Sequence, residues 1–218
     1  MSRRALSGLS CGTDEEENRM GKVIATITTS VDGYVTGPDD RPGQGLGRGG
    51  ERLHHWVMGG PWTYEGGHDV AMHGPDKEFY DDLVSTVAAF VVGRGMYEAA
   101  GAWGGTNPFP GPLFVLTHRT EDQPAEESGV VFVGDLGTAL DRALEAAGDG
   151  DVSLGGGADV IRQALAADRV DELVLSTAPV VLGAGKRLFD GFTRDLDLAV
   201  ASVHASPFAT HVRYRLVR

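Results

Sequence analysis

The stretch Val152–Gly191, VSLGGGADVIRQALAADRVDELVLSTAPVVLGAGKRLFDG, decides how the chain is read. Val152 and Leu154 form a short apolar strand that runs directly into Gly155, Gly156 and Gly157, and a helical pattern begins near Asp159. Glycines at such a junction admit backbone conformations closed to other residues and remove side chains that would hold a ligand off the main chain. The free N–H groups and the positive dipole end of the following helix favour a phosphate oxygen. A second strand over 171–177 and a second glycine-rich turn after Pro179 follow. The segment is a candidate nucleotide cradle.

Working outward, Lys22–Thr29 (KVIATITT) is rich in β-branched residues and reads as a buried strand. Thr36–Gly74 contains eleven glycines with Trp56 and Trp62, which suggests a lid or binding loop interrupted by a short helix around Glu51–Met58. Over Asp76–Val87 the residues Phe79, Tyr80, Leu83, Val84 and Val87 make a helical stripe. Ala88–Val92, Leu113–Leu116 and Val130–Val133 read as core strands. Asp135 is a plausible N-cap for the helix carrying Leu136, Ala139, Leu140, Ala143, Leu144 and Ala147. A helix over 158–167 and two closing strands near Leu196–His204 and His211–Val217 complete the pattern. Strands alternating with helices predict an α/β layer fold, and the terminal strand pair makes its sheet mixed.

The 218 residues suit one large domain over 20–218, with residues 1–19 an unstructured tail and Met20 an alternative start. Apolar residues make up 41%, as in a soluble globular protein. The formal charge of −12 argues against nucleic acid as the main partner, because backbone binding needs a basic footprint. The lone Cys11 permits no internal disulfide, and no apolar run approaches the ~20 residues of a membrane span. Arg3 and Arg4 have no apolar stretch behind them, so the expected location is the cytoplasm. His54, His55, His68 and His73 lie close together but lack a helical His-x-x-x-His pair, so no metal is expected.

Three further strand ends carry polar or glycine residues where such folds place ligands. They are Ser30-Val-Asp-Gly-Tyr34, Val92-Gly-Arg-Gly-Met-Tyr-Glu98 and Leu116-Thr-His-Arg119. Each has an ordinary alternative: an Asp-Gly turn, a glycine turn with a solvated arginine, a surface charge. Together with Leu154-Gly-Gly-Gly157 and Pro179–Gly191 they resemble the dihydrofolate-reductase-like superfamily, in the branch of the reductase domain of the bifunctional riboflavin-biosynthesis deaminase–reductase. The resemblance runs in order from about Met20 to Arg218.

The resemblance implies a three-layer α-β-α sandwich with a mixed, mainly parallel sheet, a stand-alone homodimer, and NADPH as cofactor. Carried over by position, Gly155, Gly156, Gly157, Ala158 and Asp159 face the pyrophosphate, and Gly93, Arg94 and Met96 form the opposite wall. Thr117, His118 and Arg119 sit near the 2′-phosphate, and Leu182, Gly183, Ala184 and Gly185 close the nicotinamide end. Ser30, Gly33 and Tyr34 meet a small heterocyclic substrate. Beside the resemblance, Trp56 and Trp62 make the substrate pocket more aromatic. Asp32 is the candidate that orients the substrate or the proton accompanying hydride transfer, its alternative being a carboxylate that fixes its own turn. Two departures stand out. The riboflavin enzymes have lysine where this chain has Tyr34, and glutamate where it has Gly155, so the substrate pocket is expected to be altered. The alternatives are a dihydrofolate-reductase-type activity, a nucleotide-binding module without turnover, or a dimeric scaffold.

Overall fold

The computed structural model describes residues 21–65 and 70–218. The tail expected at 1–19 and His68 lie outside the described residues. The elements follow in order: β1 (Val23–Ser30), β2 (Tyr34–Thr36), α1 (His55–Met58), α2 (Gly74–Val84), β3 (Val87–Gly93), α3 (Arg94–Ala99), β4 (Leu113–Leu116), β5 (Val130–Val133) and α4 (Leu136–Ala147). The second half contains β6 (Asp151–Gly155), α5 (Ala158–Ala166), β7 (Glu172–Ala178), β8 (Lys186–Arg187), β9 (Leu198–Ala205) and β10 (Thr210–Leu216). Eight strands form one sheet in the order β5-β4-β3-β6-β1-β7-β10-β9. All neighbours from β5 to β7 run parallel, and β10 joins antiparallel between β7 and β9. This is the mixed, mainly parallel sheet with a closing antiparallel pair that the sequence pattern predicts.

Alternation along the strands sends their side chains to two layers. Val23, Ala25, Ala89, Val91, Val152, Leu154 and Leu173 pack against α4 and α5 on one face. α4 is started by Asp135, whose carboxylate accepts from the Thr138 N–H at 2.8 Å. The opposite face carries two separate clusters. Phe90, Val92, Leu113, Val115 and Phe132 pack with Tyr97 of α3, while Ile24 and Val174 pack with Trp56 of α1 and Phe79 and Leu83 of α2.

Between those clusters lies β6. Because Val152 and Leu154 face α4 and α5, alternation leaves Asp151 at the strand start, then Ser153 and Gly155, for the other face. No large side chain bridges the gap, and a cleft opens there.

One helix end and one strand pair depart most from the sequence pattern. The helical stripe read over Asp76–Val87 ends at Val84, where Ser85 caps the Asp82 carbonyl and Val87 pairs with Asp151 as the first residue of β3. The β2–β8 pair has no periodic signature, since it joins three residues to two that are far apart in the chain.

Candidate active site

The cleft has a volume of about 1740 Å³. A site for one small ligand typically measures ~300–1,000 Å³, so there is room for a dinucleotide and a second molecule. One end is formed by the carboxyl ends of β3, β4 and β6, and the other is an aromatic bay over β1 and β7.

At the first end Gly155, Gly156 and Gly157 carry the chain from β6 into α5, with a cis peptide between Gly156 and Gly157. Gly156 has φ +60, and its carbonyl accepts from the Gly93 N–H at 2.9 Å. A Cβ on Gly156 would stand 3.1 Å from Met96 Sδ, and one on Gly93 only 2.6 Å from Val160 Cγ2. Glycine is therefore what lets β3, α3 and α5 close on one another here. A Cβ on Gly157 would meet nothing within 4 Å, so this residue faces the open cleft. No side chain caps the start of α5, which leaves its first N–H groups for a ligand. The Asp159 carboxylate turns along the helix to Gln163 (2.6 Å) and Arg162 (3.3 Å).

The same wall holds a charged quartet. Arg94 donates from Nε to Glu98 (2.8 Å) and from Nη2 to Asp122 (3.2 Å), and Arg119 donates to the same Glu98 oxygen at 2.7 Å. The hydrogen bond from Arg94 holds the Glu98 carboxyl below the usual range, with burial opposing and Arg119 adding to the effect. Arg94 Nη1 is buried and has no partner among the described residues. Thr117 fixes the turn by accepting from the Arg119 N–H at 3.1 Å, and His118 lies exposed on the rim.

In the bay, the wall includes Thr28, Trp56, Trp62, Tyr64, Phe79, Tyr80 and Ser176. Trp56 donates from its indole to Thr28 Oγ1 at 3.1 Å and packs edge-on to His211 at 4.9 Å. His54 lines the same wall, and burial pulls its imidazole down to about 4. The glycine-rich segment after β2 forms the rim. Gly43, Gly45 and Leu46 face the cleft, and the Leu46 N–H donates to Tyr64 Oη at 2.9 Å.

The structure thus gathers Gly93, Arg94, Met96, Thr117, His118, Arg119, Gly155, Gly156, Gly157, Ala158, Asp159 and Trp56 around one cleft. Ser30, Asp32, Gly33, Tyr34, Leu182 and Gly183 form a neighbouring knot and do not line it. Asp32 accepts from Ser30 Oγ (2.6 Å), Leu182 N (3.1 Å) and Gly183 N (2.8 Å). Those bonds, the one from Ser30 foremost, lower its carboxyl to about 2 against the opposing effect of desolvation. Tyr34 lies under the Arg187 guanidinium at 4.7 Å, with its hydroxyl 3.3 Å from the Gly183 carbonyl. From the 179–191 segment it is Gly185, of the expected turn, with Lys186, Arg187 and Asp190 that reach the wall, and Lys186 is paired to Asp40. Thr28, Ser176, His211 and Asp76 have no motif around them, and periodicity marks Thr28 and Ser176 only as strand residues.

A mixed sheet of this order, with a cleft across the carboxyl ends of its parallel strands, defines a dihydrofolate-reductase-like α/β protein. Within that class the chain belongs to the RibD C-terminal domain family, which it matches over residues 21–212. A putative riboflavin biosynthesis protein from Shewanella sp. PV-4 superposes with a TM-score of 0.65 at 24% identity, covering 90% of this chain and 99% of that one. Dihydrofolate reductase from Enterococcus faecalis, complexed with NADP(H), superposes with a TM-score of 0.55 at 17% identity, covering 91% and 98%. The uncharacterized protein YwjB of Bacillus subtilis (strain 168) is 24% identical over 141 residues, 65% of this chain and 80% of its own length.

Proposed function

We propose that this chain is an NADPH-dependent reductase of a small, flat heterocycle, of the pyrimidine-reductase kind. The observation that carries this reading is one continuous cleft with two differently built ends: uncapped helix N–H groups and glycines at one, aromatic rings at the other. The wall fits the cofactor on a feature of its own, since the buried Arg94 Nη1 is a donor with no acceptor among the described residues. Membership of the RibD C-terminal domain family and the NADP(H) complex of a similar fold support the same assignment.

When bound, NADPH supplies a hydride. The chain's own residues bind and orient. The N–H groups at the start of α5 would hold the pyrophosphate, and Arg94 and Arg119 the 2′-phosphate. That phosphate has to compete with Glu98 and Asp122, which already engage both guanidiniums. Trp56, Trp62 and Tyr64 exclude water from the bay and favour a planar ring over a flexible chain. Asp32 is assigned to hold the 182–183 turn in place, because its carboxylate oxygens are committed to Ser30, Leu182 and Gly183.

The test is a fluorescence titration of the purified protein with NADPH, followed by NADPH oxidation against a panel of pyrimidines, pterins and quinones. Saturable binding in the micromolar range and turnover with a heterocycle are expected. Folded protein that leaves NADPH fluorescence unchanged disproves the cofactor assignment, and binding without turnover favours a nucleotide-binding module.

A further inference from the structure

On the floor of the bay, Thr28 of β1 and Ser176 of β7 are register partners on adjacent parallel strands, so their side chains point the same way about 4.8 Å apart. Both line the cleft, although each is over nine-tenths buried. Each hydroxyl has one donor and two acceptor positions, and the protein fixes how both are used.

Ser176 Oγ lies 2.8 Å from His211 Nδ1, and His211 Nε2 lies 2.9 Å from Asp76 Oδ1. His211 is fully buried, stacked on Phe79 at 4.0 Å and edge-on to Trp56. Desolvation holds its imidazole below the ordinary value, with His204 of β9 adding to the effect and Asp76 of α2 opposing it. At neutral pH the ring therefore carries a single N–H. A carboxylate can only accept, so that hydrogen is on Nε2 and Nδ1 is bare. Ser176 must then donate its hydrogen to Nδ1, and it turns only lone pairs to the cleft.

Thr28 is set the opposite way. Its oxygen accepts from the Trp56 indole, and its own hydrogen has no acceptor among the described residues. The floor thus presents a hydrogen-bond donor beside an acceptor, beneath a ring-lined wall.

We propose that Thr28 and Ser176 form a donor–acceptor pair that recognises the lactam edge, an N–H beside a C=O, of a planar heterocycle. The ligand's carbonyl accepts from Thr28 and its N–H donates to Ser176, while Asp76 and His211 act as positioning residues that fix the polarity of Ser176. The assignment rests on the reductase reading and deepens it by naming the residues that select the ring and the buried pair that sets their polarity. Protonating His211 would put a hydrogen on Nδ1 and turn the Ser176 hydroxyl into a donor, so lactam binding should weaken as pH falls through the His211 titration.

The experiment compares uracil, which has lactam edges, with 1,3-dimethyluracil, which has lost both N–H groups, by ligand-observed NMR titration with and without NADPH. Uracil should bind at least about tenfold more tightly than the dimethyl compound. Ser176→Ala should reduce uracil affinity by about tenfold while leaving dimethyluracil unchanged, and Ser176→Thr should restore it. Equal affinities, binding of neither probe, or indifference to Ser176→Ala each overturn the proposal. A readout that needs no variant is the imidazole ¹⁵N spectrum: His211 protonated on Nε2 at neutral pH is expected, and a proton on Nδ1 overturns the polarity argument. NADPH is titrated separately. If the unsubstituted protein prefers uracil but binds no NADPH, the reductase reading falls and this one stands.

Discussion

The wall at the ends of β3, β4 and β6 and the bay over β1 and β7 belong to one cleft, yet they are made by different means. The wall is mostly main chain and short local motifs: three glycines before α5, a glycine before α3, and an arginine just past β4. The bay is made of side chains brought together from remote parts of the sequence. His211 reaches Asp76 across 135 residues and Ser176 across 35. A backbone cradle suits a ligand part that is constant in shape and charge, whereas side-chain polarity can be changed residue by residue to suit a particular substrate. Damage to the two ends should therefore separate cleanly.

The largest effect is expected from Trp56→Ala. Trp56 is almost fully buried and touches Thr28, Phe79 and His211, so its removal should cost about 3–5 kcal/mol of stability in denaturant unfolding. The protein that remains folded should bind NADPH with little change, because none of those contacts belongs to the wall. Loss of NADPH affinity in step with the loss of stability would show the two ends to be one unit.

Gly93→Ala attacks the other end. Its Cβ would stand 2.6 Å from Val160 Cγ2, and a β-branched side chain in the first turn of α5 has little room to yield. Overpacking of this kind costs about 1–3 kcal/mol, and the displaced helix start should lower NADPH affinity about tenfold or more. Uracil binding in the bay should survive, and fluorescence and NMR titrations on the same sample test both statements.

Arg119→Ala should have a smaller and more selective effect. The guanidinium is more than half exposed and shares Glu98 with Arg94, so solvent screening limits its contribution. A loss of a few-fold to about tenfold in NADPH affinity, with NADH less affected, is expected. Equal losses for both dinucleotides would remove Arg119 from the 2′-phosphate.

The same contrast explains what could be read in the sequence. The glycine turns, the strand–helix alternation and the Asp135 cap are local, and each has a fixed physical cause within a few residues. Thr28 and Ser176 look like ordinary strand residues until parallel pairing sets them side by side. Nothing near His211 distinguishes it from His204, which faces it across β10 and β9. The resemblance carries the whole 182–185 turn to the cleft; Gly185 does line it, but Asp32, 150 residues before Leu182, anchors Leu182 and Gly183 beside it.

Asp32 provides the smallest effect and the finest test, since it sits in the knot beside the cleft and not in its lining. Its carboxyl falls from an ordinary 3.8 to about 2 through the Ser30 hydroxyl and the Gly183 and Leu182 N–H groups. A depressed carboxyl stabilises the fold fully above its unfolded value and loses that contribution as pH falls through the folded one. Stability of the unsubstituted protein should therefore drop between about pH 4 and pH 2 by an amount that Asp32→Asn does not show, while the variant is slightly less stable above that window. If Asp32 only braces the 182–183 turn, Asp32→Asn leaves the shape of the kcat–pH profile unchanged and affects KM modestly. If it delivers the proton, as its place in the first-strand motif suggested, turnover collapses and a limb of the profile disappears. The first outcome leaves Asp32 a brace of the 182–183 turn, outside the chemistry. The second would join the two ends of the cleft through this one carboxylate and end the separation on which the other predictions depend.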